Sequence, residues 1–145
     1  MVTLSYPSHL VPVELEKELV SGALRAAWIL DERPDHRGAI EALDALASFD
    51  VRDLAFREHR EIVAAVQSLH GTIGTFSPAL VRDELRVRQQ FDAMAMLPSL
   101  VGWGLAPVAA LPTHIRKIRT AARGRRRFRR AQSVQAKLCE KATTS

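Results

Sequence analysis

Cysteine occurs once in these 145 residues, at Cys139. A single thiol has no intrachain disulfide partner, and the histidines at 9, 36, 59, 70 and 114 are scattered without the spacing of metal ligands. That usage points to a reducing, cytoplasmic setting. Neither a GxxxxGK[ST] phosphate loop nor a GxGxxG turn nor an acidic metal cluster is present, so ATP hydrolysis is not assigned to this chain. Cys139 has no base beside it in sequence, and Asp50 with Asp53 reads as a pair of helix caps rather than an acid/base couple. A non-enzyme is expected, with no catalytic residue, no metal and no cofactor. The opening MVTLSYPSHLVPVELEKEL lacks a basic start followed by an apolar core, which argues against a secretory signal. No run alternates with period two for long enough to make a strand.

What the chain does contain is 47% apolar residues, enough for one domain with its own core. Ala, Leu, Arg and Glu dominate, so the expected class is all-α: a compact bundle of about four helices, then a helical hairpin, then a basic C-terminal helix or tail. The division is an arm over 1–12, a helical domain over 13–122 with its hairpin at 93–122, and an arginine-rich tail over 123–145. A first amphipathic helix is predicted from Val13 to Leu30, with Leu15, Leu19, Ala23, Ala26 and Leu30 on one face. Glu14 and Glu16 in its first turn suit the positive end of the helix dipole. A second, His36 to Ala47, presents Ile40, Leu43 and Leu46.

Residues 93 to 113 carry no charge and match a membrane span in length. Pro98, Pro107 and Pro112, with Gly102 and Gly104, would interrupt such a helix, each interior proline costing about 3 kcal/mol. Two short apolar helices meeting near Trp103-Gly104 are predicted instead, and no membrane partner.

Charge is divided unevenly. Residues 1 to 115 hold 10 Lys or Arg and 15 Asp or Glu; residues 116 to 145 hold 11 basic residues and one acid, Glu140. An acidic body thus carries a basic tail, in which Ile115, Ile118 and Ala122 share one face and dock the first two turns. Density of like charge calls for an anionic partner: nucleic acid, or the acidic surface of a protein or of a neighbouring copy. Counterion release from a nucleic-acid backbone would give salt-dependent binding without sequence selectivity. The candidate nucleic-acid contacts are Arg116, Lys117, Arg119, Arg123, Arg125, Arg126, Arg127, Arg129 and Arg130.

The stretch from Asp53 to Leu85 reads as helix, loop, helix: His59, Ile62, Val63, Val66 and Leu69 at helical spacing, a break at 70–76, and Ser77-Pro78 opening a helix with Leu80, Val81 and Leu85. His59 reads as a hydrogen-bonded packing residue. With Asp53, His59-Arg60-Glu61-Ile62, Ala65-Val66, Leu69, Val81 and Leu85 in place, this stretch resembles the N-terminal domain of the hexameric replicative DNA helicases, the DnaB family. Glu14 to Leu24 is similar to the start of that domain, with Ser21 where the family prefers Gly, and His114-Ile115-Arg116-Lys117-Ile118-Arg119 stands where its last helix begins. The likeness covers residues 13 to about 131 and leaves out the motor.

The resemblance implies a helical bundle whose terminal hairpins pair into the collar of a ring, a platform on which primase docks. It implies self-association through Leu97, Leu100, Val101, Trp103, Leu105 and Val108, positions where exposed apolar surface and a tryptophan would make an interface. The function it implies is a DNA-replication accessory or scaffold that docks to a helicase, primase or loader and contacts DNA through its tail. A small helical nucleic-acid-binding regulator unrelated to helicases is the alternative, as is a primase-type helicase-binding domain.

Overall fold

Helix α1 (Val13–Glu32) is enclosed by the rest of the chain, touching each of the five other helices. These are α2 (Arg37–Ala47), α3 (Arg57–Thr72), α4 (Pro78–Val87), α5 (Phe91–Val101) and α6 (Leu111–Thr143), with 3-10 turns at Val51–Asp53 and Val108–Ala110. This computed structural model describes residues 7, 9, 11–101 and 107–143. No strand occurs among them, and the all-α bundle expected from composition is what forms. No described helix is long and apolar enough to cross a membrane.

Sequence periodicity gives α1 one apolar stripe, but the structure buries every residue from Leu19 to Leu24. Small side chains make that possible, because Ser21, Gly22, Ala23, Ala26 and Ala27 let neighbouring helices approach from several sides. At Gly22 the approach is close, since an added Cβ would stand 3.1 Å from Leu111 Cδ1 of α6. Pro34 ends the helix, since the residue before a proline is pushed out of helical geometry and Arg33 is extended at φ −134°, ψ 84°.

Glu16, one turn into α1, is fully buried. Its carboxyl accepts from the backbone N–H of Ala55 at 2.7 Å and of Phe56 at 3.4 Å, and from His59 Nδ1 at 2.9 Å. One acid thereby closes the entrance to α3, whose N-cap residue Phe56 offers no side-chain cap of its own. The Phe56 ring meets His59 edge-on, with centroids 5.4 Å apart. His59 is thus the hydrogen-bonded packing residue expected, while Glu16 is a core anchor rather than a surface acid in a first turn.

Elsewhere α3 serves its neighbours' ends. Gln67 Nε2 donates at 2.8 Å to both Leu46 O and Phe49 O, satisfying carbonyls where α2 stops. The predicted break at 70–76 comes later than expected: α3 continues through Gly71 to Thr72, and it is Gly74, at φ +90°, that turns the chain and donates to Leu69 O. Asp50 caps the 3-10 turn by accepting from Arg52 N at 3.0 Å, as its reading as a cap anticipates, but Asp53 does not cap α3.

The apolar segment 93–113 departs from the predicted pair of short helices. Pro98 lies inside α5 without ending it, its ring on the exposed side, and Pro112 occupies the second position of α6, where no backbone donor is required. The second arm is a 3-10 turn leading straight into α6. Among the described residues α5 packs on α1, α3 and α4, whereas α6 packs on α1, α2 and both 3-10 turns, and the two do not meet. Each arm finds its apolar partner in the bundle.

Because removing Glu16 strands two backbone donors and a buried imidazole, Glu16→Ala should cost about 3–5 kcal/mol in urea unfolding, and Glu16→Gln, which keeps one acceptor, about 2 kcal/mol. Equal, small losses would show that the contact carries little stability. A second expectation concerns His114 in the first turn of α6. Partial burial lowers its pKa from the ordinary 6.5, opposed by Glu18 and assisted by Lys117. The unfolded chain then holds that proton more tightly, so the stability His114 permits is complete above pH about 6.5 and is lost as pH falls through the depressed native value. Thermal midpoints measured from pH about 7.5 down to about 5 should fall less steeply in His114→Asn than in the parent.

Candidate nucleic-acid interface

Helix α6 runs unbroken for 33 residues, passing through Gly124. At about 1.5 Å per residue this is roughly 50 Å, longer than the bundle can cover. Its inner line, Leu111, Ile115, Ile118, Ala122 and Arg125, recurs every three or four residues and is buried. Counted from Ile115, docking therefore lasts about three turns, one more than the two turns that the apolar pattern alone predicts. The extra length comes from an arginine: Arg125, only 8% exposed, donates to Asp53 O at 2.6 Å.

Next to it, Arg126 Nη1 lies 3.0 Å from Asp53 Oδ1, with the acid nearly buried and the arginine half exposed. Two consecutive arginines thus grip one residue of the 3-10 turn, by backbone and by side chain. Beyond this latch the helix surface opens, and every described residue from Ser133 to Ala142 is exposed.

The candidate cations separate into groups. Arg116, Arg119, Arg123, Arg127 and Arg130 recur at intervals of three or four, and Lys137 and Lys141 extend the same line. All are exposed except Arg119, which is half-buried. This stripe turns away from the buried line and, from Arg116 to Lys141, is about 38 Å long. Glu140 is the one acid in this part of the chain. Lys117 is exposed on the other flank, and Arg116 also donates to Thr113 Oγ1 at 3.1 Å. Arg126 lies between stripe and body, and Arg129, one turn beyond Arg125, is exposed on the continuation of the inner line. Arg125 departs from the solvent-facing contact expected of it: it is buried against the bundle and donates to Asp53 O. The sequence hid this, since an arginine in an arginine run looks like its neighbours.

The candidate self-association residues are largely consumed by the monomer. Leu97, Leu100 and Val108 are buried in the core, and Val101 is partly buried against it. Trp103 and Leu105 lie outside the described residues. An interface built from exposed Leu97, Leu100 and Val108 is thereby corrected: their apolar surface is already covered by the bundle. Among the described residues, the large apolar side chains that reach solvent are Trp28, Ile73, Leu80, Val87, Phe91, Val134 and Leu138.

Among the described residues no group of three or more His, Cys, Asp or Glu is placed to hold a metal ion. Asp50 has its carboxyl held below the usual range by the hydrogen bonds from Arg52, which is a surface pair rather than a reactive one. What this surface can do chemically is attract and hold anions along a line. No protein-family model and no curated protein matches the chain.

Removing the buried arginine and removing a stripe arginine should differ in kind. Arg125→Ala is expected to lower stability by about 2 kcal/mol, from a lost charged hydrogen bond and lost packing. Arg123→Ala and Arg127→Ala should stay within about 0.5 kcal/mol of the parent. Chemical denaturation of the three variants checks the division.

Proposed function

We propose that this protein is a non-catalytic helical scaffold that binds the phosphate backbone of nucleic acid through the outer face of α6. The observation that carries the reading is the stripe from Arg116 to Lys141: seven cations on one line of a helix whose buried line, about a third of a turn away, anchors its first half in the bundle. A rigid row of this kind engages phosphates without reading bases, so affinity should depend on salt and hardly on sequence. The anchoring favours this over a loosely solvated tail, because the bundle holds the first half of the helix and sets the direction of the rest.

The cellular setting we propose is DNA replication in the cytoplasm, beside a replicative helicase, primase or loader. Its support is the resemblance of residues 13 to about 131 to the helicase collar. One structural observation favours a second reading, a small nucleic-acid-binding regulator with no helicase partner: Leu97, Leu100 and Val108, the side chains that would join collar hairpins, are buried in the monomer. Co-elution with the replicative helicase or primase distinguishes the two, and both keep the role of α6.

For a duplex oligonucleotide engaging all seven cations, the slope of log affinity against log salt should be about −6. Replacing Arg119, Arg123, Arg127 and Arg130 together by Gln should flatten that slope by about 3 to 4 while the thermal midpoint is retained. An unchanged slope in the fourfold variant, measured by fluorescence anisotropy across a salt series, would remove the stripe from the account.

A further inference from the structure

Beside the latch, the surface between α6 and the entrance to α3 is hollowed into a concavity of about 260 Å³. Four of its lining residues are arginines drawn from three elements: Arg52 from the first 3-10 turn, Arg60 from α3, and Arg125 and Arg129 one turn apart on α6. Leu54, Ala55 and Phe56 form the rest of the wall with Val11, and no carboxyl lines it. The acids nearest in sequence are occupied, Asp50 by Arg52 at 2.9 Å and Asp53 by Arg126 at 3.0 Å.

Arg52 is held by Asp50 through Nε and Nη2, while Arg60, Arg125 and Arg129 add positive charge to the same wall, a local excess that favours an anion at this surface. Their chemistry selects its shape. One arginine matches a planar carboxylate through a two-pronged pair of bonds, whereas a phosphate presents oxygens in several directions and can take donors from three elements at once. Arg60 Nη1 reaches Leu54 O at only 3.4 Å, a weak bond that a charged acceptor would outcompete. Arg125 is already oriented by Asp53 O, and a guanidinium with five N–H donors can hold a carbonyl and an oxyanion together.

Size narrows the ligand further. The concavity lies just below the roughly 300 Å³ at which sites for whole small molecules begin, so it can take a terminal phosphate and its first attached group while the remainder stays outside. Arg129 adjoins Arg126, which in turn adjoins Arg130, so the concavity is linked to the cation stripe.

We infer that this concavity is a seat for a phosphate monoester, supplied either by the 5′ end of a nucleic-acid strand or by a free nucleotide. The strand-end source rests on the function proposed above; the phosphate seat does not. The two sources have different consequences. A strand end would fix the register of nucleic acid along α6, whereas a free nucleotide would compete with it.

The test uses the full chain and two pairs of probes: adenosine monophosphate against adenosine by calorimetry, and 5′-phosphorylated against 5′-hydroxyl single strands of one sequence by anisotropy. Binding should favour the phosphorylated member of at least one pair by tenfold or more. That preference should disappear in Arg60→Gln and in Arg52→Gln, two sites off the α6 stripe, with thermal midpoints checked to confirm folding. A preference confined to the strand identifies the strand end as the source; one confined to the nucleotide identifies the free ligand. No preference in either pair, or a preference that survives both substitutions in folded protein, overturns the seat. Strands that fail to bind while adenosine monophosphate does would defeat the α6 reading and leave the seat standing.

Discussion

The bundle depends on a carboxyl that never meets solvent. Glu16 gathers two backbone N–H groups and one imidazole nitrogen, three donors that arrive from residues 55 to 59, about forty positions along the chain. Burying an acid is costly unless every oxygen is engaged, so the site tolerates little deviation in how α1 and α3 lie together. It also brings negative charge to the positive end of α3. The same few residues, Asp53 to Phe56, then do two further things: Asp53 receives Arg125 and Arg126, and Leu54 to Phe56 form the wall of the arginine concavity. Position is therefore passed from α1 to the α3 entrance and from there to α6.

Helix α6 performs two tasks with one run of residues. Up to Arg125 its inner face is core; outside, and along the exposed half, its charge is positive except at Glu140. The body contributes Asp53, whose carbonyl and carboxyl receive Arg125 and Arg126 and fix the docked half of the helix. Fixing the rotation of α6 at Asp53 decides which cations face solvent. Had the helix been free to turn, the same sequence would present no defined stripe.

Much of the architecture was readable from spacing. The ends of α1 and α2 and the start of α4 fall within two residues of those predicted, because Pro34, Ser48 and Ser77-Pro78 punctuate them. The central position of α1 was less visible, since amphipathic counting weights Leu and Val over the Ala, Gly and Ser that allow close approach. Glu16 left a trace that could have been followed: it precedes Leu19 and Val20 by three and four residues, which places it on the buried face. Its partners left none, because nothing in the sequence pairs position 16 with 55, 56 and 59.

By itself the sequence determined the helical class, the positions of most helices, and the separation of an acidic body from a basic end. These follow from propensity, periodicity and charge, which are properties of neighbouring residues. Only the tertiary structure decided that Arg125 belongs to the core, that Leu97, Leu100 and Val108 are covered within the monomer, and that four arginines from three elements share one concavity. Those are matters of which distant groups meet, and hydrogen-bond satisfaction of buried groups such as Glu16 and Arg125, rather than local pattern, selects the arrangement.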